Sequence, residues 1–228
     1  MDSQIRAVVF DLDGLMFNTE EIFNEVGDQL LIRRGKEMTP ELRTQMMGRR
    51  GPESFAVMVD WHGLRETVEE LLVESEILFR QLAIGRLAPM PGLHTLLDAI
   101  ESQKLKKGVA TSSPRRYFHE VIGPFQLLHR FDITLTAEDV THGKPHPEIY
   151  LTAAERLGVQ PSEMLVLEDS HTGSLAAARA NAVAVAIPHQ HSSYQDFDHV
   201  HFVADRLDDP RILDLLLPSP PQGERGRG

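Results

Sequence analysis

The sequence predicts an α/β fold: a parallel sheet with helices on both faces, and an all-α segment inserted after the first strand. Three observations lead there. Short apolar runs alternate with stretches of helical period, the pattern of βαβ units. Polar residues able to do chemistry follow one apolar run after another. Between the first two runs lies a long interval with helical patterning and no convincing strand.

The first run, Ile5 to Phe10, is rich in Val, Ile and Phe and reads as a buried strand. Lys107 to Ala110, Ile133 to Leu135, Met164 to Leu167 and Val183 to Ile187 read as the next four, with a short further strand at His201 to Val203. Leu93, Leu96, Leu97 and Ile100 recur at helical spacing, as do Ile149, Ala153 and Leu157, which Gly158 closes as a C-cap. His171 to Ala180 is alanine-rich and helical, and a last helix falls near Ile212 to Leu217. The interval from Gly14 to Lys106 is too long for one crossover, and within it Glu20 to Ile32 and Val68 to Leu82 read as helices. Entry to this insert is expected near Leu15 to Thr19. Ala88-Pro89-Met90-Pro91-Gly92 marks the exit, a hinge-like composition. The expected organisation is a core of residues 1–15 and 89–217, a helical cap of residues 16–88, and a disordered Pro-, Gly- and Arg-rich tail at 218–228. Such a cap, lying over the end of the first strand, would act as a lid.

Composition narrows the class. With 23 basic and 34 acidic residues the chain carries a formal charge of -11, which argues against nucleic acid or an anionic membrane as the main partner. There are no cysteines, so a disulfide framework, a zinc–thiolate site and thiol catalysis are excluded. Met1-Asp2-Ser3-Gln4 does not resemble a signal peptide, and no apolar stretch approaches a membrane span. The expectation is a cytoplasmic protein, with a monomer favoured.

The first strand ends in Asp11-Leu12-Asp13-Gly14. Two carboxylates one residue apart repel, and a hard divalent cation would offset that repulsion. Thr111 and Ser112 follow the second strand, Lys144 lies in the loop after the third, and Glu168 and Asp169 close the fourth. In an open parallel sheet these carboxyl ends gather in one crevice. Taken singly, each group has a plainer reading: a turn, a helix cap or a surface loop.

Asp11-Leu12-Asp13-Gly14, Thr111-Ser112-Ser113, Gly143-Lys144-Pro145 and Glu168-Asp169-Ser170 resemble, in order and spacing, the four signatures of the haloacid dehalogenase-like hydrolases. The resemblance runs to about Leu217 and implies a Rossmann-like core. The insert is similar to the cap of the subgroup containing β-phosphoglucomutases and sugar-phosphate phosphatases, and Gly48-Arg49-Arg50 resembles its cap signature. The resemblance implies that Asp11 is the nucleophile, a role suited to a group already ionised at neutral pH. Asp13 would be the general acid and base. Mg2+ would be held by Asp11, the Asp13 backbone carbonyl and Asp169, with Glu168 acting through water or from behind. Lys144 would offset the remaining negative charge, and Thr111 would donate to a phosphate oxygen beside backbone N–H groups near Ser112 and Leu12. Arg49 would reach the substrate from the cap; its plainer reading is a solvated charge.

Other residues carry less. Arg115 and Arg116 read as the exposed face of a helix. His189, His191, His199 and His201 read as surface histidines, and His146 and His171 are assigned no role. Trp61 reads as packing within the cap.

The acid at Asp13 argues against carbon–halogen cleavage, since dehalogenating members lack it. Lys36 is the insert's one lysine, and its surroundings do not mark it as the Schiff-base lysine of the phosphonate-cleaving branch. β-Phosphoglucomutases typically carry a histidine twelve residues after the nucleophile; here that residue is Phe23. The expected function is a Mg-dependent phosphatase of a small phosphorylated metabolite, with a sugar phosphate as first choice, acting through an aspartyl-phosphate. A phosphosugar mutase is the alternative among enzymes, and a non-catalytic phosphate- or metal-binding regulator the alternative of another class. A dinucleotide-binding dehydrogenase is disfavoured because the first turn lacks GxGxxG.

Overall fold

In the computed structural model, residues 4–46, 51–189 and 192–218 are described. Two compact units emerge, one comprising Met1–Met16 and Met90–Gly228, the other Phe17–Pro89.

The first unit is built on six parallel strands: β1 (Ala7–Phe10), β2 (Lys106–Ala110), β3 (Ile133–Leu135), β4 (Met164–Glu168), β5 (Val183–Ala186) and β6 (Phe202–Val203), in the order β3-β2-β1-β4-β5-β6. The chain reverses its winding direction between β1 and β4, and such a switch opens a crevice at the carboxyl ends of the strands. Helices α5 (Leu93–Ser102), α6 (Arg115–Ile122), α7 (Glu148–Leu157), α8 (His171–Arg179) and α9 (Pro210–Leu215) belong to this unit. Burial on both faces explains why β1 and β4 read as unbroken apolar runs. Alternate residues of β1 point to opposite faces. Ala7 and Val9 join Tyr150, Ala153 and Leu157 of α7 and the Ala176–Ala177 pair of α8 in one core cluster. The sixth strand and the last helix occur where the sequence expects them, whereas α6 was foreseen only as an exposed face bearing Arg115 and Arg116.

The second unit contains α1 (Thr19–Ile32), α2 (Pro40–Met46), α3 (Gly51–His62) and α4 (Val68–Ala83). The sequence pattern identifies α1 and α4 and misses α2 and α3. Each of these two buries a single residue, Leu42 and Met58, so neither shows a repeating apolar stripe. Helix α4 starts at a capping box: Thr67 Oγ1 accepts the Glu70 N–H at 3.2 Å, and Glu70 accepts the Thr67 N–H at 2.8 Å. Asn18 ties the two ends of the unit together, donating to the Arg86 carbonyl at 3.1 Å and accepting the Ala88 N–H at 2.8 Å. Phe23 stacks on Phe79, ring centroids 4.6 Å apart. Trp61, expected as packing, is 42% exposed, because α3 turns its buried face elsewhere, through Met58. Among the described residues no helix is long and apolar enough to cross a membrane.

Candidate active site

Strand pairing sets the site. β1 and β4 are neighbours with Phe10 opposite Leu167, so the next row brings Asp11 beside Glu168, and the Asp11 N–H still donates to the Leu167 carbonyl at 3.0 Å. Thr111 continues β2 in the same way, donating its N–H to the Leu135 carbonyl at 3.0 Å. Gly14, at φ +75°, turns the chain sharply after Asp13, a conformation that favours glycine.

Asp11 is 7% exposed, and Glu168 and Asp169 are also buried. Oxygens of these three carboxylates lie within 4.8 Å of one another. Lys144 lies among them: its Nζ donates to Asp11 Oδ1 at 2.6 Å, to Glu168 Oε1 at 2.6 Å and to the Ala110 carbonyl at 2.9 Å. Burial pushes the Asp11 carboxyl well above its usual range; Lys144 opposes the shift, and Glu168, Asp169 and Asp13 add to it. Burial would lower the Lys144 ammonium, but Asp11 and Glu168 outweigh it and raise it, so the lysine is charged. Three buried carboxylates against one ammonium leave an excess of negative charge. Oxygen donors this close together could hold a divalent metal ion.

Further residues fix this set. Tyr150, from α7, donates its OH to Glu168 Oε1 at 2.6 Å. Ser170 caps α8 by accepting the Gly173 N–H at 3.2 Å and donates to Glu168 Oε2 at 3.2 Å. Residue 173 must be glycine, because a Cβ there would stand 1.9 Å from Glu168 Oε1. Asp13 is clamped separately: Ser113 Oγ donates to its Oδ2 and Tyr117 OH to its Oδ1, each at 2.7 Å. Thr111 is buried and its Oγ1 accepts the Ser113 N–H at 3.0 Å, while Ser112 is exposed. The Leu12 side chain is fully buried.

The structure thus brings together Asp11, Asp169, Glu168 and Lys144. Arg49 lies outside the described residues, as does His191. Ser113, Tyr117, Tyr150 and His189 were missed in the sequence. Ser113 and Tyr117 are four residues apart, and that spacing was the available signal. His189 requires a correction: it is no surface histidine, since its side chain is 14% exposed and Nε2 lies 3.0 Å from Asp169 Oδ2. It follows β5, whose carboxyl end opens on the same edge as β4. His199 also has a partner, with Nε2 2.8 Å from Ser174 Oγ and its ring edge-on to His171; burial, then His171, lowers its pKa. Arg115 and Arg116 behave as expected for exposed helix residues, pairing with Asp139 and Glu120.

Comparison with known proteins agrees with this architecture. Residues 8–187 match the family model described as haloacid dehalogenase-like hydrolase. A candidate phosphatase of Bacillus subtilis, YhcW, is 33% identical over 217 residues, covering 93% of this chain and 96% of the relative. A phosphorylated carbohydrates phosphatase of Thermotoga maritima is 32% identical over 176 residues, covering 77% of this chain and 82% of the relative. Among solved structures, a candidate β-phosphoglucomutase from Thermotoga maritima superposes with a TM-score of 0.77 at 28% identity, covering 93% of this chain and 98% of that one. With its four signatures at the strand ends and its model match over most of its length, the chain belongs to the haloacid dehalogenase-like hydrolases.

Proposed function

We propose that this chain is a magnesium-dependent phosphatase of a small phosphorylated metabolite, with a sugar phosphate as the first class to test. The observation that carries the reading is the buried cluster of three carboxylates at the ends of β1 and β4, two of which pair with Lys144. The donor set fits Mg2+: all-oxygen, carboxylate-rich and short of positive charge. Asp11, Asp169 and the Asp13 backbone carbonyl would hold it, with Glu168 bound through water or supporting from behind. When bound, Mg2+ supplies the charge neutralisation that lets an anionic nucleophile meet an anionic phosphate.

In this reading a carboxylate oxygen of Asp11 attacks phosphorus, and the phosphorus–oxygen ester bond breaks. Asp13 gives its proton to the departing alkoxide, leaving an aspartyl-phosphate. Asp13 then takes a proton from water as that water attacks the same phosphorus, releasing inorganic phosphate and restoring Asp11. Lys144 and the Thr111 hydroxyl, with N–H groups near Leu12 and Ser112, stabilise charge on the transferring group. Ser113 and Tyr117 would set the position from which Asp13 moves its proton. Residues 16–88 are assigned the choice of substrate, with Arg49 as a contact to it, by likeness to the family's cap. The protein is read as cytoplasmic and monomeric; gel filtration checks the second point.

Two relatives described as phosphatases support hydrolysis. The solved structure described as a candidate mutase favours a second reading, phosphosugar isomerisation. Phe23, which has no proton to donate or accept, weighs against it. The test measures phosphate release from a panel of phosphorylated sugars and related metabolites with Mg2+, alongside interconversion of β-glucose 1-phosphate and glucose 6-phosphate. Phosphate release is expected; efficient isomerisation with little release would overturn the reading.

A further inference from the structure

A second ligand-bearing cluster stands where the loop that carries Lys144 enters α7, with His142 and His146 in the loop and Glu148 the first residue of the helix. His142 Nδ1 lies 2.8 Å from Glu148 Oε2, and His146 Nδ1 lies 3.8 Å from the same oxygen. The two imidazole rings are 4.6 Å apart between centroids. One donor atom from each of the three residues falls within 4.8 Å of the others. A tetrahedral ion with bonds of about 2.1 Å sets its ligands about 3.4 Å apart, so small ring rotations are enough to converge this set.

The carboxylate is already committed to its place. Glu148 accepts the Thr141 N–H at 2.7 Å and the His142 N–H at 2.9 Å, bonds that fix where its carboxylate lies. The His146 N–H donates to the Gly143 carbonyl at 3.0 Å, and Pro145 and Pro147 restrict the backbone on both sides of His146. Both imidazoles are open to solvent, at 63% and 51% side-chain exposure. The chain's net negative charge favours the approach of a cation.

We propose that His142, His146 and Glu148 form a second metal site, distinct from the acid-lined centre, that takes a borderline transition-metal dication such as Zn2+, Ni2+ or Co2+. The chemistry separates the two sites. Imidazole nitrogens suit these ions, whereas an all-oxygen set suits Mg2+. Three protein ligands, two of them exposed histidines, leave a position for water, which implies an open site rather than a structural one.

The test is a Co2+ titration of the whole protein in excess Mg2+, followed by visible absorption and repeated with Zn2+ by calorimetry. One equivalent is expected that the His142→Gln/His146→Gln double variant loses and the single His146→Gln variant binds at least about tenfold more weakly. Asp169→Asn and His189→Gln, which alter the other centre, should retain it. Circular dichroism checks that the double variant is folded, and selective broadening of the His142 and His146 ring signals by Co2+ locates the ion without mutation. An unchanged titration in the double variant, no binding above the Mg2+ background, or broadening confined to other histidines would each overturn the site. Because the proposal concerns binding, it stands or falls independently of whether phosphate is released.

Discussion

The two units of the chain treat buried charge in opposite ways. In the helical unit Arg34 is largely buried, and its guanidinium reaches Glu66 at 2.7 Å, Glu74 at 2.6 Å and the Leu30 carbonyl at 2.7 Å. Arg33 pairs with Glu74 as well, at 3.0 Å, so two cations meet two carboxylates, and both glutamates keep contact with solvent. In the sheet unit three carboxylates are buried together, two of them on the Lys144 ammonium and the third, Asp169, against His189. Balanced burial holds helices together. Burying several like charges together carries an electrostatic cost that a bound cation would offset.

Asp11→Asn is expected to reduce phosphate release by about 10^4-fold or more, as loss of a nucleophile does. The same change should raise the melting temperature of the divalent-free protein, because it removes a buried carboxylate from an overcharged cluster. A melting temperature that fell would show the cluster to be balanced after all.

Lys144→Ala removes the ammonium that pairs with Asp11 and Glu168. Turnover should fall by about 10^2 to 10^3-fold, and divalent-free stability by about 3–5 kcal/mol, since charges buried with Lys144 lose their partner. Denaturant unfolding in chelator checks this, and added Mg2+ should recover part of the stability.

Burial and neighbouring carboxylates hold the Asp11 carboxyl above its ordinary 3.8, so the folded chain binds this proton more tightly than the unfolded chain does. That contribution is fully present at pH below the ordinary value and is lost as pH rises through the folded one. In chelator, the wild-type protein should therefore lose stability relative to Asp11→Asn as pH rises from near 4 toward neutrality. Parallel profiles for the two proteins would remove the argument for strain at Asp11.

Smaller effects are expected from the supports. His189→Ala, which removes the group beside Asp169 Oδ2, should weaken Mg2+ affinity by about tenfold, measured by calorimetry. Arg34→Ala in the helical unit should cost about 1 kcal/mol, because Glu66 and Glu74 remain hydrated, and this cost should not depend on divalent ions.

Much of the site was legible in the chain because its parts are local. Asp11, Lys144, Glu168 and Asp169 each follow an apolar run directly or lie in the loop after one, and a parallel sheet places all such positions on one edge. The supports were harder to read. Tyr117 acts on a residue 104 positions away, Tyr150 on one 18 away and His189 on one 20 away. Tyr150 looks like an ordinary apolar helix residue, and His189 stood among histidines that read as a surface group. Helices α2 and α3 escaped for a related reason: with one buried residue each, they leave little periodic trace.

The class of fold, the order of the strands along the chain and the acids that end them can be read from the chain alone. Those follow from hydrophobic period and from residues adjacent in the chain. The tertiary structure alone decided that Lys144 bridges Asp11 and Glu168, that Tyr117 and Ser113 hold Asp13, and that His189 stands against Asp169. Such contacts depend on where helices and loops settle on the sheet, and a hydrogen bond needs that placement to within a few tenths of an ångström.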